Sequence, residues 1–402
     1  MLKSGRYLAL FISASSHKLL KMALSNNSFL INKLAAEFEN IIIINVFNLK
    51  FFKKKFIHKS STFKSFNFKE NIEFFNVYSK TQFLEIISNK KIVGINFFGR
   101  SLNDLRIFYL LRNIKIVQIS GIGNVQTNNS FLQNNFMKGL FYKKYKELSY
   151  KFLVLLSNFK IISKMEIRFI TNSKLLPKNR RLNLYQRIFN YLKLDFAKKF
   201  ILINGRSFDF FYDNPSKSSE EYIVVLDEML NDPQWTRFRP PFNSKQIHDH
   251  YKNFNQKLNS MKKEYKKKVV ICIHPNDNLD QKKKLFKDFK VVQYNTRSFI
   301  YKAYLVVFFE SSAIIDAILL RKNIITVKSD ILDDNQIEAG EHYIRELNIP
   351  ILHLNKKNFK KKDLYFKKNL YEKYINTYIS PDKSKQMGYL KIAKYINKLF
   401  NT

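Results

Sequence analysis

The chain is poor in the residues that mark many familiar sites. One cysteine, Cys272, stands among 402 residues, so no disulfide can form within the chain and a zinc site built on thiolates is excluded. Glycine numbers only 9 and proline 8. There is no P-loop pattern, and the nearest approach to a dinucleotide fingerprint, Gly121-Ile122-Gly123-Asn124, lacks its third glycine and reads equally as a tight turn. His-Glu-x-x-His, Gly-x-Ser-x-Gly and EF-hand patterns are missing too, as is an Asp-x-Asp pair that would hold a divalent cation. No metal or cofactor is therefore expected. No apolar run approaches 18 residues, so no transmembrane helix is expected.

Acidic residues are scarce as well. Asp and Glu total 32 against 71 Lys and Arg, a formal charge of +39. Two causes produce such an excess: a polyanionic partner, or drift toward Lys, Asn, Ile and Phe in an AT-rich genome. Drift is the favoured reading, because the lysines are spread along the whole chain. The surface attracts anions whichever cause made it basic. Hydrophobic residues make up 45% of the chain, which excludes wholesale disorder, and the length suits two or three domains at about 150 residues each. The start has Lys3 and Arg6 ahead of the short apolar run Tyr7–Ile12, with no clear cleavage site, and reads as an irregular extension.

What is present is alternation. Short Val- and Ile-rich runs occur at Ile41–Val46, Ile92–Phe97, Ile114–Ile119 and Phe200–Ile203, and then at Tyr222–Leu226, Val269–Ile273, Val291–Tyr294, Leu305–Phe309, Ile324–Val327 and Ile351–Leu354. Continuous apolar runs predict strands buried on both faces. Helical periods lie between them at Ser101–Arg112, Ser244–Tyr265, Ser312–Arg321, Asn335–Leu347 and Tyr389–Phe400, which predicts βαβ units and parallel sheets. Ser101 is the expected cap of the first, and the charged Ser244–Tyr265 segment the expected surface helix. The polar, turn-rich stretch Tyr212–Glu220 separates two sheets. The expected division is 1–212, 213–380 and a C-terminal helix in 381–402. No internal repeat of 20 to 50 residues is present.

Candidate chemistry gathers at strand ends in the second half, where open α/β sheets bind ligands. Asp227 and Glu228 leave the run Val224-Val225-Leu226 together, as a ligand-orienting or basic pair or as a helix cap. His274-Pro275 closes the run Val269–Ile273; the proline stops the ladder and holds the imidazole at the sheet edge, where it can donate to a phosphate oxygen. Glu310-Ser311-Ser312 turns a strand into a helix, a geometry that binds phosphate or simply caps the helix. Arg297 adds a cation near the same edge.

In order and spacing these segments resemble a bacterial GT-B-type glycosyltransferase family of surface carbohydrate and capsular polysaccharide biosynthesis. The matching run extends from Tyr222 to Val327. It holds Val-Val-Leu-Asp-Glu, Asn231-Asp232-Pro233, Pro240-Pro241, His248, the long helix, Ile273-His274-Pro275, Tyr294-Asn295-Thr296 and Phe309-Glu310-Ser311-Ser312-Ala313-Ile314. Phe29–Leu34 with Ile44-Asn45-Val46 looks like the family's first βα unit. GT-B sialyltransferases and polymer transferases likewise pair His-Pro with a later Ser-Ser or Ser-Thr. The resemblance implies an α/β fold of two Rossmann-like domains with parallel sheets facing across a cleft. It implies donor-phosphate binding by His274, Pro275, Arg297, Glu310, Ser311 and Ser312, and catalytic roles for Asp227, Glu228 and His274. Phe309 departs from the pattern, since relatives often carry histidine there.

The expected function is transfer of a sugar from a nucleotide-sugar donor to a glycan or glycolipid acceptor of capsule, O-antigen or lipooligosaccharide. The first domain would bind the acceptor and supply its base, with Asp104 and Asp209 as candidates. The expected setting is the cytoplasm, peripheral to the anionic inner face of the plasma membrane, with no specific nucleic-acid partner. Two rivals stand beside this reading: a nucleotide-sugar 2-epimerase on the same fold, which expects more acids at the site, and a non-enzymatic basic protein binding nucleic acid or membrane. Most Phe and Tyr fall at core spacing, against the second rival.

Overall fold

A computed structural model describes residues 5–50, 68–98, 102–120, 148–173, 197–213, 219–228, 230, 241–275, 277–309, 311–329, 331, 334–355, 364 and 367–402. Among these, the residues within 1–122, 141–212 and 380–402 form one compact unit and those within 213–379 a second. The expected features at Ser101, Gly121–Asn124 and Glu310, and the Asn231-Asp232-Pro233 and Pro240-Pro241 stretches, lie outside the described residues.

The first unit is a seven-stranded sheet of β1 (Arg6–Ile12), β2 (Ile41–Asn45), β3 (Ile72–Asn76), β4 (Lys91–Asn96), β5 (Lys115–Ser120), β6 (Met165–Ile170) and β7 (Ala197–Leu202). The order is β3-β2-β1-β4-β5-β6-β7, and every adjacent pair is parallel. The N-terminal extension is thus a correction: β1 is a central strand, and Leu8, Ala9, Leu10 and Phe11 are wholly buried. The first βα unit is accordingly β1 with the helix His17–Glu37, which contains Phe29–Leu34, and β2 comes after it. The helix is capped by Ser16, whose side chain accepts from the Leu19 N–H. β3 and β6 also went unforeseen. Both are only half-covered, so β6 alternates Met-Glu-Ile-Arg-Phe-Ile instead of showing a continuous apolar run.

The C-terminal helix, Gly388–Asn401, belongs to this unit rather than standing as a separate segment. Its stripe of Tyr389, Ile392, Ala393, Ile396 and Phe400 is buried in the same core as Leu8, Leu10, Val93, Ile95 and Val117. Its start is fastened by Asp209, whose carboxylate accepts from the backbone N–H of Gly388 at 2.7 Å and of Tyr389 at 3.0 Å. Asn204 secures the approach, accepting from the Ser380 hydroxyl and the Asp382 N–H and donating to the Gln386 carbonyl. A Cβ on Gly388 would overlap the Asn204 carbonyl oxygen. Gly388→Ala is therefore expected to destabilise this unit by about 1–3 kcal/mol, the usual range for overpacking, read as a lowered melting temperature. An unchanged melting temperature would show that the helix start can shift without cost.

The second unit is a six-stranded parallel sheet of β8 (Tyr222–Leu226), β9 (Lys268–Ile273), β10 (Lys290–Gln293), β11 (Ala303–Phe308), β12 (Asn323–Lys328) and β13 (Ile351–His353), in the order β10-β9-β8-β11-β12-β13. Its central strands β8 and β11 are apolar because both faces are covered; Val224, Val225, Val306 and Val307 have no exposed surface. The helix Ser244–Tyr265 opens with a capping box between Asn243 and Gln246. Though charged, it is not merely a surface helix: His250, Tyr251, Phe254, Leu258, Met261 and Tyr265 form a buried face on the sheet. Each sheet reverses its strand order once, between β1 and β4 and between β8 and β11. Those reversals are where doubly wound sheets open a crevice at the carboxyl edge. No described helix is long and apolar enough to cross a membrane.

Candidate functional site

The reversal in the second sheet sets β8 beside β11, so Asp227 and Glu228 emerge next to Phe309, Ser311 and Ser312. β9 adds His274 and Pro275 on the far side of β8. These are the residues singled out in the sequence, and the parallel topology brings their backbones to one edge.

Their side chains divide into two kinds. Asp227 is buried, and Lys282 from the helix Leu279–Leu285 bonds its carboxylate at 2.5 Å. The same ammonium reaches Asp277 at 3.1 Å, the Glu228 carbonyl at 3.0 Å and the Tyr251 hydroxyl. Burial opposes the charge on Lys282, but Asp227, Tyr251 and Asp277 outweigh it and hold its pKa above the ordinary lysine range. Burial, then Asp227, likewise pushes the Tyr251 phenol up, so it stays protonated. Asp227 is thus part of a buried ion-pair cluster. Glu228 is also buried, at 7% exposure.

The cluster shapes the adjoining turn. The Asp277 N–H donates to the His274 carbonyl at 2.9 Å, and the Gln293 amide at the end of β10 donates to the carbonyls of Pro275 and Asp277. Lys282 therefore holds one end of the turn whose exposed side is His274 and Pro275. After β10, Tyr294 and Asn295 both take left-handed backbone angles, φ 73° and 56°, before the helix Thr296–Tyr301 begins. Such conformations are unfavourable for residues with side chains and persist only where surroundings impose them. They lead directly into Arg297, whose Nε bonds Asp316 at 2.8 Å and whose side chain remains 30% exposed.

At the end of β11 the helix begins at Ile314, later than expected, with Ala313 at its cap position and no side-chain cap bond. Ser311 Oγ accepts from the Ala313 N–H at 3.3 Å, while Ser312 is exposed. Ser312 is therefore not the helix cap, which leaves its hydroxyl at the edge without a helix-capping bond. The two acceptor-base candidates are also committed elsewhere. Asp209 fastens the terminal helix, and Asp104 is buried in an ion pair with Lys50 at 2.8 Å.

Sequence reasoning overlooked Lys282, Asp277, Asp316 and His250. Lys282 opens a run of three lysines and looks like its neighbours. His250 did leave a signal, since it shares the helix face of Phe254 and Leu258. It packs against Phe309, ring centroids 5.6 Å apart, and its Nδ1 lies 3.0 Å from the Ser329 hydroxyl beyond β12. Burial, then the charge of Lys282, lowers its pKa to about 4, so the ring is neutral at pH 7. Phe309, the departure from the family pattern, is thus a wall of this imidazole's pocket. Among the described residues no cluster of His, Cys, Asp and Glu has the makings of a metal site.

No protein-family model matches the chain, and no curated protein matches it. Solved structures do. A putative UDP-N-acetylglucosamine 2-epimerase from Listeria monocytogenes is 12% identical, with 100% of this chain and 97% of that one covered and a TM-score of 0.52. A variant of the wall teichoic acid polymerase TagF is 13% identical over 100% and 90%, also at 0.52. The UDP-GlcNAc 2-epimerase of Methanocaldococcus jannaschii is 12% identical over 98% and 99%, at 0.50. At such identities the likeness is one of fold, and the chain has the α/β, GT-B-like architecture of two Rossmann-like units that its motif order led us to expect.

Proposed function

We propose that the second unit binds a nucleotide-sugar at the carboxyl edge of its sheet, and that the protein is a glycosyltransferase acting on a surface glycan or glycolipid acceptor held by the first unit. The observation that carries this reading is the convergence of His274, Arg297, Ser311 and Ser312 at the end of a doubly wound sheet next to its reversal point. In the transfer, an acceptor oxygen bonds to the anomeric carbon while that carbon's bond to the donor phosphate oxygen breaks. The leaving phosphate keeps the electron pair, and its growing charge is met by His274, the two serine hydroxyls and Arg297. Asp316 orients Arg297, and the turn braced by Lys282 and Gln293 presents His274. No metal or cofactor enters this reading.

A second reading, a nucleotide-sugar 2-epimerase, is supported by the acids at the edge, with Glu228 buried beside the reversal point. Thermal-shift screening against UDP-, CMP-, GDP- and CDP-linked sugars comes first, since a specific ligand stabilises by mass action. Proton NMR of the purified protein with the stabilising sugar then separates the two. Epimerised free nucleotide-sugar without acceptor establishes the epimerase; glycosyl transfer to an added glycan acceptor, with released nucleotide, establishes the transferase. Stabilisation by none of these sugars would remove both readings.

The serines supply a direct test of the donor site. Each hydrogen bond to a charged group contributes about 1.5–3 kcal/mol. Ser312→Ala is expected to weaken donor binding about tenfold to a hundredfold by titration calorimetry, at nearly unchanged melting temperature because Ser312 caps no helix. Ser312→Asp should bind more weakly still, by repulsion of the phosphate. Donor affinity equal to that of the unsubstituted protein would take Ser312 out of the site.

A further inference from the structure

One helix of the first unit is apolar on its outward side as well as its inward one. Residues 148–158 are helical, and the side buried against the sheet contains Ser149 and Ser157 beside Leu153 and Val154. The outward side carries Leu148 at 69% exposure, Phe152 at 44%, Leu155 at 50% and Phe159 at 69%. These four recur at intervals of four, three and four residues, which at about 100° per residue places them within roughly 60° of arc. Ile161, 46% exposed, extends the stripe past the helix end. Large apolar groups facing water are the reverse of what water selects, and contiguous exposed apolar patches mark interaction surfaces.

The neighbouring surface supplies the charge. A pocket of about 490 Å³ begins where the helix ends, lined by Ser157, Asn158, Lys160 and Ile162. Its other walls come from Arg112, Lys115, Lys164 and Lys198, with Glu166 as the one acid among the lining residues. Glu166 neutralises Lys198 at 2.6 Å. Lys164 donates to Asn158, and Lys115 to the Leu399 carbonyl and the Thr402 hydroxyl, which positions both ammonium groups at the pocket. Lys115, Lys198 and Glu166 lie at or near the starts of β5, β7 and β6, which puts the pocket at the amino edge of this sheet, away from its carboxyl edge.

We propose that this face docks the protein on an anionic phospholipid membrane, with Leu148, Phe152, Leu155 and Phe159 entering the interface and the cationic pocket receiving lipid phosphate. An apolar stripe bordered by cations matches both layers of such a surface, acyl chains beneath and phosphate above. The net charge of +39 attracts the molecule to any polyanion; the stripe selects the one polyanion with an apolar interior. The proposal stands apart from the catalytic reading, because vesicle binding is measured without turnover.

The test is flotation of the full chain with vesicles of phosphatidylcholine alone and with about one third phosphatidylglycerol. Only the anionic vesicles should carry the protein upward. Phe152→Ser/Phe159→Ser should lower partitioning at least tenfold at unchanged melting temperature, as both rings are exposed. Arg112→Glu/Lys160→Glu should lower it by a similar factor, at roughly fivefold for each basic residue lost. Lys262→Glu/Lys263→Glu, the same charge change on the second unit, should leave most binding intact. Equal loss in that control would reduce the effect to net charge and overturn the assignment of this face. Phe152→Ser/Phe159→Ser floating like the unsubstituted protein would overturn it as well. So would a sedimentation result in which that variant turns a dimer into a monomer with vesicle binding unchanged.

Discussion

Lys282→Met is expected to destabilise the second unit by about 3–5 kcal/mol, the largest single-site effect foreseen in this protein. Removing one partner of a buried ion pair strands the other charge away from water, and that penalty exceeds the gain the pair contributed when intact. Lys282 serves several groups at once: the Asp227 carboxylate, the Asp277 carboxylate, the Glu228 carbonyl and the Tyr251 hydroxyl. Urea unfolding of both proteins measures the loss. Asp227→Leu/Lys282→Met removes the opposed charges together and should recover at least half of it, since paired apolar replacements are often close to neutral. A cost under about 1 kcal/mol for Lys282→Met would mean that water reaches the cluster and that it does not brace the turn bearing His274.

Stability should also fall by about 3 kcal/mol as pH drops from 6.5 to 4 through His250 alone. Its ring is held neutral by burial, with Lys282 adding to the effect, and its pKa is lowered to about 4 from an ordinary 6.5. A group with a depressed pKa contributes stability that is complete above the unfolded value and is lost as pH falls toward the folded one, because the unfolded chain takes the proton first. The limiting slope for one proton is about 1.4 kcal/mol per pH unit. Carboxylates add their own acid dependence, so the informative quantity is the difference from His250→Gln, which cannot titrate. Parallel denaturation series at pH 7.5 and 4.5 should show the unsubstituted protein losing clearly more than His250→Gln. Identical losses would place His250 in contact with water and remove its contribution.

The backbone plan was largely legible in the sequence. Val224-Val225-Leu226, Val269–Ile273 and Val306-Val307-Phe308 read as strands because strands covered on both faces admit no polar alternation, and the helical periods between them implied parallel pairing. The same logic explains the omissions. β6 is half-covered and alternates, and the short apolar run of β1 behind Arg6 reads as an irregular extension until its pairing is known. The edge carrying His274, Ser311 and Ser312 was equally legible, since strand direction alone determines where the following residue emerges.

What the sequence by itself determined, then, was the set of strands, their parallel sense and the edge at which polar residues leave them. Only the tertiary structure decided what those polar residues touch. Asp227 and Asp209 look alike as candidate bases in a string of letters; one is held by a lysine 55 positions further on and the other ties down a helix 179 positions away. Hydrophobic periodicity is a local property, written over a few residues by the geometry of one helix or strand. The partner of a buried charge is fixed by whichever distant segment packing brings within about 3 Å, and that distance has no counterpart in the spacing of residues along the chain.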